Sequence, residues 1–128
     1  MKGLLQIGII LCATILIGCR DNLQPQFENK YYNQIVHLLE TNPDSALQLF
    51  NSINEDSLSE AAFAQKCILA GKITDKLYQA IIPTHHYERA HHWFSEHGTP
   101  LEQSLILLYL GRSYAEDGEY NHAMATYT

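Results

Sequence analysis

The chain divides at once by how its apolar residues are spaced. Up to Gly18 there is one Lys and then an almost unbroken apolar run from Leu4 to Ile17; beyond Phe27 the apolar residues recur three and four positions apart. That second spacing follows the 3.6-residue turn of a helix, and no stretch alternates as a half-buried strand would. The prediction is an all-α fold behind an N-terminal leader.

The helical part is punctuated clearly enough to cut into elements. Tyr32, Ile35, Val36 and Leu39 form one apolar stripe, and Asn42-Pro43-Asp44 ends that helix and starts another lined by Ala46, Leu49, Phe50 and Ile53. Ser57 with Glu60 reads as a capping box opening a third helix, whose stripe is Phe63, Cys67, Ala70 and Leu77 and whose end is expected near Ile82, because Pro83 disfavours helical geometry in the residue before it. Thr84 is expected to cap a fourth helix running through Trp93 and Phe94 to His97, with Gly98 supplying a left-handed end. Thr99-Pro100-Leu101-Glu102 is the strongest start signal, a Thr cap, Pro at the first helical position and Glu at the third. The fifth helix it opens should run about 17 residues to the stop at Gly118 and, being apolar all round from Leu105 to Leu110, should pack on several sides. Tyr120 opens a sixth, still running at Thr128.

The leader has the positive, apolar and small-residue sections of a secretory signal, and its apolar run of about 14 residues is shorter than the roughly 20 a spanning helix needs. Leu16-Ile17-Gly18-Cys19 resembles the lipobox of bacterial lipoproteins. That resemblance implies cleavage before Cys19, acylation of its thiol, and a mature protein held on a membrane of the cell envelope, on the outer membrane or the periplasmic face of the inner one. Two or three acyl chains anchor far more firmly than one. Residues 1–18 are then the signal, 19–27 the acylated cysteine and a short tether, and 28–128 the helical part.

Composition narrows the partners. The formal charge of −6 becomes one unit more negative when Lys2 leaves with the leader, and the eight Lys and Arg are scattered singly. A nucleic-acid surface needs clustered cations to displace counterions, so none is expected in this segment. Of three cysteines, Cys12 lies in the leader and Cys19 at the processing site, which leaves Cys67 alone, without a disulfide partner and expected to be buried in its apolar stripe.

The second helix of each pair repeats an Ala followed four residues later by an aromatic: Ala46/Phe50, Ala90/Phe94 and Ala123/Tyr127, the alanines 44 and 33 residues apart. Small residues there let helices approach, and aromatics fill the space beside them. The closing segment, Leu110-Gly111-Arg112-Ser113-Tyr114, then Gly118-Glu119-Tyr120, Ala123 and Tyr127, resembles the tetratricopeptide motif, whose period is 34 residues; Leu107 stands where that motif usually has Trp. The middle pair departs from it by about seven extra residues around Lys76 to Pro83. With the lipobox, the chain from Cys19 to Thr128 is similar to tetratricopeptide lipoproteins of the Bacteroidota. The resemblance implies an α-α superhelix of about three helical hairpins, the last incomplete, with Ala46, Phe50, Ala90, Phe94, Leu110, Gly111, Tyr114, Ala123 and Tyr127 packing the repeats.

The function implied is a membrane-anchored scaffold binding a protein or peptide in the concave groove of stacked hairpins. Gln103, Leu107, Arg112 and Tyr114 are the candidate groove residues, although Leu107 and Tyr114 are also needed between helices and read first as core packing there. A different reading makes this the sensor end of a longer signalling or transcription-regulatory protein, and an open last helix fits a truncated product or fragment. A third rests on His85, Glu88 and His92, at i, i+3 and i+7, as a weak metal site among seven histidines; a solvated helix face explains them as well. No Gly-rich phosphate loop or nucleophile elbow is present, so no enzyme, cofactor or small-molecule substrate is expected; Ser57, Ser95 and Ser104 read as cap or surface residues.

Overall fold

The computed structural model describes residues 30–128; the leader, Cys19 and the tether lie outside the described residues. Contacts divide the chain into two units, Met1–Asn33 and Gln34–Thr128, and the second is described from here on. Among the described residues the structure is all-helical, with no strand. Its α-helices are α1 (residues 30–41), α2 (Pro43–Ser52), α3 (Glu60–Leu77), α4 (Thr84–His97), α5 (Pro100–Glu116) and α6 (Tyr120–Tyr127), with one 3₁₀ turn at Glu55–Ser57.

The start signals built on local hydrogen bonds are where the sequence puts them. Asn42 caps α2, its side chain accepting from the Ser45 N–H, with Pro43 in the first turn where no backbone donor is needed. Thr99 and Glu102 make both halves of a capping box, the Thr99 hydroxyl accepting from the Glu102 N–H at 3.2 Å and the Glu102 carboxylate from the Thr99 N–H at 2.9 Å.

Other boundaries differ from expectation. Ser59, not Ser57, caps α3, accepting from the Ala62 N–H, while Ser57 sits in the 3₁₀ turn with its hydroxyl on the Asn54 carbonyl. The 3₁₀ turn displaces the cap by two residues. Helix α3 ends at Leu77 rather than near Ile82, because Tyr78 adopts the left-handed conformation (φ 55°) and closes the helix on the Thr74 carbonyl. Thr84 does not cap α4 but is its first residue, and its hydroxyl is bonded across to Ser113 Oγ at 2.6 Å and to the Asp117 carboxylate. Gly98 is extended (φ −83°) rather than left-handed. Its need is for space, since a Cβ there would stand 2.7 Å from the Phe94 carbonyl oxygen. Gly118, at φ +80°, is the glycine whose conformation disfavours a side chain.

Polar ties fix the directions of the helices. Gln65 donates to Glu102 and Arg112 pairs with Asp75, each pair 37 residues apart, so α3 and α5 run parallel side by side. Near the same end of the unit, Glu40 of α1 meets Lys76 of α3 at 3.3 Å. Helix α4 is antiparallel to α3 and α5: Arg89 pairs with Glu60 at the start of α3, Thr84 meets the end of α5, and Gln103 at the start of α5 donates to the Phe94 and Gly98 carbonyls at the end of α4. A two-residue step at Asp117 and Gly118, then Glu119, turns α6 back along α5.

The core lies along α3, which buries nine residues, Phe63, Cys67, Ile68, Ala70 and Ile73 among them. Around it Ile35, Leu39, Phe50, Tyr87, Phe94, Ile106 and Leu110 are buried. Ala46 and Ala90 are fully buried and Ala123 nearly so, as expected of small residues where helices close up, but Tyr127 remains 54 % exposed. Helix α5 is less enclosed than its all-apolar run suggests, because Leu108 reaches solvent and Leu105 and Leu107 are only half-buried.

Candidate functional site

The four candidate groove residues all lie on α5, and Arg112 is the one that a polar contact ties to α3. Of those four, Gln103 is occupied at the end of α4, where its amide bonds the Phe94 carbonyl at 3.0 Å. Arg112 is half-exposed and paired with Asp75. Tyr114 is half-buried, with its ring centroid 5.3 Å from that of His122 and its hydroxyl bonded to Glu88; burial first, then the Glu88 carboxylate, pushes that phenol's pKa up. Leu107 is half-buried beside them. Arg112 is thus the candidate whose polar group faces both solvent and the neighbouring helix.

Above the α3–α5 seam, where both helices end, is a shallow cleft open to solvent. Its floor is aromatic. Tyr87 of α4 and Tyr109 of α5 are buried there with ring centroids 6.5 Å apart, and burial raises the Tyr87 pKa well above its ordinary value. Ile82, from the connection of residues 78–83 between α3 and α4, forms one wall, and Asp75, Arg112 and Glu116 stand around it. Gly71 makes the seam possible: a Cβ at that position would lie 2.3 Å from the Tyr109 ring. Neither Gly71 nor the cleft follows from motif matching, although an isolated glycine inside a long helical stripe is itself a sign of close packing.

A second polar group surrounds Cys67. Glu55 lies 3.7 Å from Lys66 Nζ and 3.6 Å from His86 Nδ1, and the Lys66 ammonium stands 4.7 Å above the Phe50 ring. Arg89, paired with Glu60, covers the Phe63 ring at 3.8 Å. These contacts tie the 3₁₀ turn to α3 and α4. Cys67 itself is buried, as its stripe implies, and burial pushes its thiol up to about 12. It is a protonated thiol at neutral pH, donating weakly to the His86 carbonyl at 3.5 Å.

The histidines of α4 are not gathered. His85, Glu88 and His92 are each exposed, His85 packs edge-on against His86, and Glu88 is tied to Tyr114. Among the described residues no three His, Cys, Asp or Glu side chains are placed to hold a metal ion. Ser57, Ser95 and Ser104 all bond backbone carbonyls of their own turns.

No helix among the described residues is long and apolar enough to cross a membrane. Compared with known proteins, the chain matches no family model, no curated protein and no solved structure.

Proposed function

We propose that this protein is a lipid-anchored tetratricopeptide-type scaffold that binds a protein or peptide across the surface made by α3 and α5. The observation that carries the reading is the parallel register of those two helices, with α4 antiparallel between them in sequence and α6 folded back on α5. Successive hairpins stacked in that order align their first helices on one side, which is how such arrays offer a continuous surface to a ligand. The Leu110-Gly111 and Ala123/Tyr127 spacing supports the same reading, since a Cβ on Gly111 would stand 2.4 Å from the Tyr127 ring. Cys19 supplies the membrane attachment in this proposal.

Two measurements test it. Metabolic labelling with an alkyne fatty acid in a lipoprotein-processing bacterial host should tag the full chain and lose the tag in Cys19→Ala; labelling that survives this change removes the anchor. Peptides selected from a display library on the immobilised protein should lose binding with Arg112→Glu and keep it with Glu96→Gln, on exposed α4 surface. Equal binding by both variants, or no selected peptide at all, removes the groove.

A further inference from the structure

We infer that the open side of the last hairpin is a contact between two copies of this chain, which pair there symmetrically through α6. Of the large apolar side chains exposed among the described residues, all but Tyr78 belong to α5 and α6: Leu101, Leu108, Tyr120, Met124 and Tyr127. They gather on one side. On α5, Leu108 falls between the direction of Gly111, which faces Tyr127, and that of Arg112, which faces α3, with Leu101 two turns before it on the same line. On α6, Ala123 is buried and His122 turns toward Tyr114, so Tyr120, Met124 and Tyr127, at i, i+4 and i+7, take the opposite flank, next to Leu108.

The fold itself shows what such a side takes. The preceding hairpin, α3 and α4, is covered by α5, which packs on both helices and seats Tyr109 against Gly71. In the last hairpin Gly111, also in the first helix, is met instead by Tyr127 of its own α6, whose ring stays 54 % exposed. The side that α5 fills in one hairpin is therefore open in the next, and it fits one more apolar helix.

Charge and area identify that helix as α6 of a second copy. Helix α6 has no Lys, Arg, Asp or Glu, in a chain whose net charge is −6, so two copies meet there without opposing like charges. A helix that fills the open side must carry an exposed apolar stripe of its own, and a second copy offers one at Tyr120, Met124 and Tyr127. Receptor and occupant are then the same surface, which is the condition for a two-fold, self-complementary dimer. The five side chains present on the order of 600 Å² per copy, about 1,200 Å² for the pair, the lower end of specific interfaces. Such a dimer is weak, with a dissociation constant of roughly 10 µM.

The test is sedimentation equilibrium of the full chain in density-matched detergent micelles, where the dimer fraction should rise with protein concentration. Met124 is midway along the stripe and so lies closest to the two-fold axis. Met124→Glu and Met124→Lys should each weaken association about tenfold or more, because each sets like charges against each other, and an equimolar mixture of the two variants should recover the dimer. Met124 is 68 % exposed, so both variants should keep the parent melting temperature, which separates a lost contact from a lost fold. A chain that stays monomeric up to about 200 µM overturns the inference, as does a dimer that both variants leave intact, which places association on another surface. Two weakened variants that fail to complement each other overturn the symmetric pairing. None of these outcomes bears on peptide binding across α3 and α5, which Arg112→Glu tests separately.

Discussion

Two glycines occupy the interior of the α3–α5–α6 packing, and their neighbours set very different costs for a side chain. At Gly71 an added methyl meets Tyr109 at its Cγ and Cδ atoms, the base of a ring that is 6 % exposed and has nowhere to turn. At Gly111 it meets Tyr127 at Cε1 and Cζ, the far end of a ring that is 54 % exposed and can swing outward. Gly71→Ala should therefore lose about 1–3 kcal/mol in urea unfolding, the range for overpacked cores. Gly111→Ala should lose less, because the helix preference for Ala opposes a clash that is easily relieved. The reverse order would mean that Tyr127 is pinned more firmly than its exposure indicates. His86 makes the other prediction at this scale. Burial lowers its pKa, against the raising effect of Glu55 and with smaller lowering from His85, Arg89 and Lys66. The unfolded chain then binds a proton more readily than the folded one, so stability is full above the ordinary histidine value of about 6.5 and falls as pH drops through it toward the lowered value. Melting temperatures between pH 7.5 and 5 should show this decline, and His86→Gln should flatten it. An unchanged slope in the variant would assign the decline to the other histidines.

At the scale of elements, the legible features were those decided within four residues. Asn42 and the Thr99–Glu102 box place the starts of α2 and α5 because each needs only its own turn for its hydrogen bonds. The end of α3 was not legible in that way. Pro83 disfavours helix at Ile82 but does not say how much earlier the helix stops, and a Tyr in the left-handed region, where α3 ends, is an uncommon choice. Thr84 is a case of the same kind: its hydroxyl looks like a cap locally, and its actual partners, Ser113 and Asp117, are 29 and 33 residues away. Ser57 and Ser59 give a direct measurement of this difference. Ser59→Ala removes the acceptor for the Ala62 N–H and should cost about 1 kcal/mol, the usual loss at an N-cap. Ser57→Ala removes an exposed bond to the Asn54 carbonyl and should stay within about 0.5 kcal/mol. Equal losses would mean that the 3₁₀ turn and the helix start unfold as one capped unit.

Across the whole unit, the sequence period and the spatial register are different quantities, and only the first could be read in advance. The alanines of the repeated Ala-aromatic spacing are 33 residues apart, whereas the residues bonded across α3 and α5 are 37 apart. Gly71 meeting Tyr109, 38 residues on, belongs to that long-range packing, which no motif encodes. The same packing predicts an order of opening. Helix α6 packs chiefly on α5 and buries only Ala123, while Tyr120, Met124 and Tyr127 remain exposed. Helix α3 buries nine residues and packs on α2, α4 and α5. Local opening follows the apolar contacts that must be broken, so native-state hydrogen exchange should release the amides of α6 first, at a small fraction of the global unfolding free energy, and those of Ile68 to Ile73 last, at close to its full value. A partner that covers α6 would bring its exchange toward that of α5 without altering α3. If α6 in the isolated protein already exchanges with α3, the last hairpin is part of one cooperative unit, and its exposed aromatic face is stable without any cover.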